Sequence, residues 1–129
     1  MGVQLADGRI ARIARVVAGP EATMYRFELG AGEQITVTSE HPLVTNRGLR
    51  LAKDVQFGEV LLGADGNYVT ILGIKQVEYN DVVYNFELEG SSEADHLVVA
   101  NKLVSGELYL QNRLSKELNP KVENKLSAK

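Results

Sequence analysis

Apolar and polar side chains alternate along most of the chain. In Tyr25-Arg26-Phe27-Glu28-Leu29 and in Ile35-Thr36-Val37-Thr38, every second residue is apolar, so alternate side chains would face the same side of a sheet. Between Arg9 and Val104 this spacing is far more frequent than the helical spacing of about 3.6 residues. The pattern therefore predicts an all-β domain.

Residue types that form turns separate the predicted strands at close intervals. The segment from Tyr68 to Tyr84 is rich in Val and Ile and is broken only by Gly73 and Asn80-Asp81, so we expect two extended strands around a bend. The turn signals predict short, curved strands joined by hairpins. They are Asp7-Gly8, Gly30-Ala31-Gly32, Asn46-Arg47-Gly48, Asp65-Gly66-Asn67, Glu89-Gly90 and Asn101-Lys102.

The end of the chain follows a helical spacing instead. We assign residues 1–105 to the β domain and residues 106–129 to a helical C-terminal tail, which either packs on the domain surface or docks on a partner. Lys and Glu separate the apolar residues of this tail, and Pro120 interrupts it. The apolar residues recur at every fourth position: Leu110, Leu114, Leu118, Val122 and Leu126.

A short motif occurs twice in the β domain. Tyr25-Arg26-Phe27-Glu28-Leu29 is echoed by Tyr84-Asn85-Phe86-Glu87-Leu88, and His41-Pro42-Leu43-Val44 is echoed by His96-Leu97-Val98-Val99. We interpret the repeat as a duplication, with halves at about residues 9–60 and 61–105 related by a pseudo-twofold axis. Such an axis would bring both histidines of the chain to one central site.

Composition and charge narrow the possible functions. The 129 residues fit one domain, and a net charge of -3 without a basic stripe argues against nucleic-acid binding. No apolar run approaches the ~20 residues of a membrane span, and the first residues do not form a signal peptide. The absence of Cys excludes disulfides, thiolate metal sites and a thiol nucleophile within this sequence. We expect a soluble monomer.

The two histidines are the natural candidates for acid and base chemistry, because the imidazole proton moves near neutral pH. A lone histidine is also commonly a core or surface residue with no role in chemistry. His41 and His96 are far apart in the sequence, and no HExxH motif or Cys accompanies them, so we predict neither a metal site nor a cofactor.

Four segments, in order and spacing, resemble the conserved blocks of inteins and Hedgehog-type autoprocessing domains, the Hint superfamily. The resemblance covers about Gln4 to Ser105, and it implies a Hint fold, which is itself a duplicated β-fold. The main segment of the resemblance is Thr38-Ser39-Glu40-His41 followed by Pro42, which is similar to the Thr-x-x-His block of the family. The others are Leu5-Ala6-Asp7-Gly8-Arg9, the stretch from Leu51 to Leu61, and the strand from Val83 to Gly90 that leads to His96.

The resemblance also implies site residues and partners. In the family, a first Cys, Ser or Thr attacks the carbonyl before it and converts a peptide bond into a thioester or ester. Thr38 and His41 would then donate to the scissile bond and protonate the departing nitrogen, while His96, with Asp95 beside it, would assist the following step. The partners would be flanking polypeptide segments, in cis or as a complementing N-terminal fragment.

The sequence departs from the family at both ends. The family's nucleophile lies about a dozen residues before the Asp-Gly turn, and it has no counterpart in this sequence, which opens with Met1. The terminal His-Asn would fall near Ser105-Gly106 or Gly106-Glu107, so cyclisation of an Asn is not expected. Ser105 is interpreted as an ordinary strand-end or N-cap residue.

Two interpretations therefore stay open. In the first, the chain is an autoprocessing module that is inactive as given and needs an upstream Cys, Ser or Thr. In the second, the β scaffold is inert and serves as a binding or interaction module. A third, less favoured interpretation is a small OB-like or SH3-like barrel, for which the three Phe, five Tyr and absent Trp leave few stacking platforms.

Overall fold

The computed structural model describes residues 2–100 and 102–118, which form nine strands and one α-helix. Short 3-10 turns at Gly30–Gly32, Ala52–Asp54 and Glu93–His96 lie between strands. The helix, α1, is Leu108–Leu118. The strands are Gly2–Gln4 (β1), Ile10–Leu29 (β2), Gln34–Val37 (β3), Pro42–Thr45 (β4), Gly48–Leu51 (β5), Val60–Leu62 (β6), Tyr68–Leu88 (β7), Leu97–Ala100 (β8) and Leu103–Gly106 (β9).

Strands β2 and β7 form a long antiparallel ribbon through the middle of the molecule. They pair from Ile13 opposite Leu88 to Leu29 opposite Ile71. With 20 and 21 residues, they are longer than the turn signals predict. The reason is that Asn80-Asp81, where a bend was predicted, forms a bulge within a continuous strand. Asn80 has φ 52, and the register shifts between Glu21 and Thr23 on the opposite strand.

The remaining strands complete one sheet in the order β1-β2-β7-β6-β4-β9-β8, with β3 added to β2 and β5 added to β4. One end of the ribbon packs into the main core, around Phe27 and Leu43, and the other end packs its Leu88 against Leu5 and Val98. The main core also contains Leu29, Ile35, Ala52, Val55, Leu61, Ile71 and Leu103.

The duplication predicted from the sequence is present in the backbone. The turn after β1 and the turn after β6 make the same hydrogen bonds: Leu5 N–H donates to Arg9 O, and Gly63 N–H donates to Asn67 O, both at 2.8 Å. In each turn the Asp carboxylate accepts a hydrogen bond from a backbone N–H two residues further on. The Asp-Gly turns therefore extend the repeat beyond the two motifs that carry it in the sequence.

Each histidine is followed directly by a tight hairpin. After His41, strand β4 turns back as β5 with Thr45 opposite Gly48. After His96, strand β8 turns back as β9 with Ala100 opposite Leu103. The hairpins of the two repeats are joined where β4 pairs with β9. The all-β, pseudo-twofold fold with a C-terminal helix is thus confirmed.

The helix packs its apolar face on the sheet, because Leu108, Leu110 and Leu114 are all buried. It is the one α-helix among the described residues, and it is too short to cross a membrane. The predicted helical positions Val122 and Leu126, like Pro120, lie outside the described residues.

Candidate functional site

A cleft opens between the two repeats, and Thr38 and His41 lie at its centre. Its larger lobe has a volume of about 420 Å³ and its smaller lobe about 290 Å³. Both lobes are lined by Thr38, His41, Val83 and Tyr84. The loop between β3 and β4 therefore presents its two candidate residues to a space large enough for a segment of polypeptide.

Several hydrogen bonds fix the shape of this loop. The N–H of His41 donates to the carbonyl of Thr38 at 3.1 Å, which closes a turn. The 3-10 turn that follows β5 anchors the loop with two backbone hydrogen bonds. Ala52 N–H donates to the His41 carbonyl at 2.9 Å, and Lys53 N–H donates to the Ser39 carbonyl at 3.0 Å. The first residues of the Leu51–Leu61 stretch, which resembles a family block, thus position the loop.

Burial changes the chemistry of His41. The loss of solvent around the half-buried ring lowers the pKa of His41 to about 4. The imidazole is consequently neutral at neutral pH, with one nitrogen able to accept a hydrogen bond and the other able to donate one. In this state His41 can take a proton from one group and return it to another.

The wall opposite the loop is apolar and unusually exposed. On the ribbon, Val17, Tyr79, Val82 and Tyr84 line the cleft while keeping large exposed fractions, which reach 76% for Tyr84. A wall of this kind, facing a few polar groups, is typical of sites that bind extended polypeptide or other partly apolar ligands.

The second repeat contributes Ser105 to the same cleft. Ser105 lies in β9 opposite Leu43 and lines the larger lobe together with Thr38 and His41. Its residue is 2% exposed, and its Oγ has no hydrogen-bond partner among the described residues. The sequence interpretation of Ser105 as a strand-end or cap residue missed this placement. The alternation of Leu103 and Ser105, which both line the lobe, is the signal that could have found it.

His96 does not reach the cleft, although the duplication led us to expect both histidines at one site. Its side chain is fully buried, its ring stacks on Tyr109 with centroids 3.9 Å apart, and Nε2–H donates to the Gly90 carbonyl at 2.9 Å. Nδ1 lies 3.1 Å from a carboxylate oxygen of Glu107 and makes no hydrogen bond to any described residue. His96 thus contacts the start of α1.

Asp95 has a surface role in this structure. Its carboxylate accepts hydrogen bonds from the hydroxyl and the N–H of Ser92, at 2.8 Å and 3.1 Å, and pairs with Arg9 at 2.9 Å. The bonds from Ser92, followed by the one from Arg9, lower the pKa of Asp95 to about 2. Asp95 thereby caps the 3-10 turn Glu93–His96, and it does not line the cleft.

Gly106 and Glu107, the positions of the family's terminal His-Asn in one of the two alignments predicted above, are both buried. A Cβ on Gly106 would lie 2.8 Å from Cβ of Pro42 and 2.9 Å from Cδ1 of Leu110, so no side chain fits there without a shift. Glu107 is 2% exposed, and its carboxylate accepts the N–H groups of Leu88, Tyr109 and Leu110. It serves as the N-cap of α1.

The described part of the chain contains no group of three or more His, Cys, Asp or Glu side chains placed to hold a metal ion. The polar side chains that line the larger lobe from the loop and from β9 are Thr38, His41 and Ser105.

The fold resembles solved structures of inteins and intein-like domains, whereas no protein-family model and no curated protein matches the sequence. The gp41-1 intein has a TM-score of 0.69 at 20% identity, with 81% of this chain and 78% of that one covered. The DnaB intein from Synechocystis sp. PCC 6803 has a TM-score of 0.65 at 17% identity, covering 83% and 77%. The bacterial intein-like domain from Clostridium thermocellum has a TM-score of 0.64 at 19% identity, covering 82% and 93%.

The chain therefore has the Hint fold, the architecture predicted from its sequence blocks and its internal repeat. More particularly, its structural relatives are inteins and a bacterial intein-like domain. At these identities the likeness establishes the fold.

Proposed function

We propose that the chain is an autoprocessing module that acts on a peptide bond located upstream of the domain. The observation that supports the proposal is the fixed Thr38–His41 loop in the cleft between the repeats, with a neutral imidazole facing the space. An uncharged imidazole that lines the same cleft as a hydroxyl is suited to moving a proton within one bound peptide group.

The reaction transfers an acyl group within the chain. A Cys, Ser or Thr side chain supplied from upstream adds its sulfur or oxygen to the preceding carbonyl carbon, and the C–N bond then breaks. His41 takes the proton of the nucleophile and returns it to the departing nitrogen, which becomes an amine. Thr38 donates a hydrogen bond to the same peptide group. The product is a thioester or ester that an external thiol or water can cleave.

The sheet provides a route by which an upstream segment would reach the cleft. In the β1–β2 pair, Gly2 lies opposite Arg12, and among the described residues no strand pairs with the same edge of β2 until Tyr25 meets Val37 of β3. Continuing the antiparallel register places a residue roughly four to six positions before Met1 opposite Val17 to Gly19. These residues line the smaller lobe beside His41.

The same site favours N-terminal cleavage over complete splicing. Release at the C-terminal end would need a side chain at position 106 and an Asn after it, but Gly106 has no room for a side chain. Glu107, in turn, is held by three backbone N–H groups. We therefore propose that the polypeptide after Ser105 stays attached.

The test uses the chain extended by its natural upstream residues, or by a Cys-headed segment where those contain no Cys, Ser or Thr. Intact mass is followed over days at pH 7, with and without a strong external thiol. We expect thiol-dependent cleavage before the upstream nucleophile. His41→Ala and Thr38→Ala should slow it by about 10²- to 10⁴-fold. A matched control, Ser91→Ala on an exposed loop, should cleave at the original rate.

Two results would contradict the proposal. Equal cleavage in the original chain and in both loop variants would show that Thr38 and His41 do not act in the reaction. No cleavage at any upstream spacing would favour the inert scaffold, whose cleft then serves binding alone.

A further inference from the structure

The floor of the cleft contains one hydroxyl that the fold leaves without a partner. Ser105 is almost completely buried, and its Oγ makes no hydrogen bond to any described residue. A buried hydroxyl in this condition destabilises a protein, because the group has left water without gaining a new bond. An acceptor that enters the cleft would supply the missing bond.

The position of Ser105 relative to His41 defines what that acceptor can be. Paired residues of an antiparallel sheet place their side chains on the same face, so Ser105 shares a face with Leu43, its partner in β4. His41 precedes Leu43 by two positions, in the loop just before β4, and it lines the same lobe as Ser105. A peptide group bound in this lobe would lie between the loop and β9, with its carbonyl toward Ser105 and its nitrogen toward the loop.

We propose that Ser105 binds the carbonyl oxygen of the peptide bond on which Thr38 and His41 act. This assignment rests on the proposed function, and it makes Ser105 a catalytic residue contributed by the second repeat. As the nucleophile adds to the carbonyl carbon, negative charge develops on the oxygen, and the hydrogen bond from Ser105 Oγ strengthens. His41 of the first repeat then transfers the proton, and Ser105 of the second repeat stabilises the oxyanion.

Because the chain contains no Cys, a single Ser105→Cys substitution creates a unique thiol that reports on this position. The variant is prepared in the 129-residue chain and in the upstream-extended chain with Ala in place of the nucleophile. The rate at which methyl methanethiosulfonate modifies the thiol is measured by mass spectrometry. Because Ser105 is only 2% exposed, we expect its thiol to react through the cleft more slowly than the thiol of Ser91→Cys in the first protein, and at least ~10-fold more slowly again in the second, where the upstream segment covers it. Ser91→Cys should react equally in both.

Either of two outcomes of the thiol experiment would overturn the inference. An unreactive thiol in the 129-residue chain would show that position 105 does not face the cleft, and equal reaction in both proteins would show that no upstream segment lies over it. Neither readout requires cleavage. A failure of the proposed reaction is therefore distinguishable from a failure of the Ser105 assignment.

A second measurement tests the hydrogen bond itself. Ser105→Ala in the cleaving, upstream-extended chain should slow thioester formation by about 10²-fold, the loss typical of one oxyanion donor. The midpoint of thermal unfolding should stay the same or rise, because the substitution removes an unpartnered buried hydroxyl. A slower reaction accompanied by a lower midpoint would point to a structural role and contradict the assignment, as would an unchanged rate.

Discussion

Replacing Glu107 by Ala would remove the acceptor on which the start of α1 depends. The carboxylate accepts the N–H groups of Tyr109 and Leu110 at 3.0 Å and 3.4 Å, it also accepts the N–H of Leu88, and it faces the buried ring of His96. In the variant, the three N–H groups would lose their acceptor, and the carboxylate beside the His96 ring would be absent.

The size of the effect follows from this arrangement. Each of the three orphaned donors costs about 1–3 kcal/mol, and relaxation of the helix start recovers part of this, so the total is about 3–5 kcal/mol. We expect Glu107→Ala to lose about 3–5 kcal/mol of the free energy of unfolding. Glu107→Gln keeps one carbonyl oxygen in place and should lose about half as much.

Urea unfolding at pH 7, followed by circular dichroism, measures both losses. Glu93→Ala is the matched control, because Glu93 makes an ion pair with Arg113 at 2.7 Å but its side chain is 52% exposed. We expect a loss below about 1 kcal/mol for this control. A Glu107→Ala loss as small as that of the control would refute the reasoning, because it would mean that the capping bonds contribute nothing to the fold.

Three further predictions concern pH and packing. The pKa of His41 is lowered from 6.5 to about 4, so its contribution to stability is complete above pH 6.5 and is lost as the pH falls toward 4. His41→Asn should flatten the pH profile of the unfolding free energy there by about 1–3 kcal/mol. The pKa of Asp95 is lowered to about 2, so Asp95→Asn should flatten only the profile between pH 3.8 and 2; an effect above pH 5 would contradict this assignment. Gly106→Ala should lose about 1–3 kcal/mol in urea unfolding through overpacking, whereas Gly19→Ala, with nothing within 4 Å of its Cβ, should stay within about 0.5 kcal/mol.

The repeat could be predicted from the sequence because it survives in residue identities. The Tyr-x-Phe-Glu-Leu motif recurs on β2 and β7, and the ribbon pairs these two strands. The tight hairpins after His41 and His96 follow from the same alignment. Alternation of apolar side chains was sufficient to place these segments on strands, since a single buried face determines their register.

The surroundings of the two histidines could not be predicted in this way. His41 faces the cleft because the 3-10 turn after β5 anchors its loop. His96 occupies the matching position in the backbone, but Tyr109 and Glu107, which follow β9, enclose its ring. The repeat has no equivalent of these two residues in its first half. Their contacts are tertiary, and local patterns do not encode them.

The ribbon also makes the repeats depend on each other during folding. β2 belongs to the first repeat and β7 to the second, so each takes its longest hydrogen-bonding partner from the other half of the chain. A backbone cut at the Asp65-Gly66 turn would give two pieces that each carry a long strand with most of one edge unpaired. Neither piece would retain its structure in isolation, and their reassembly would be a bimolecular event whose yield depends on concentration.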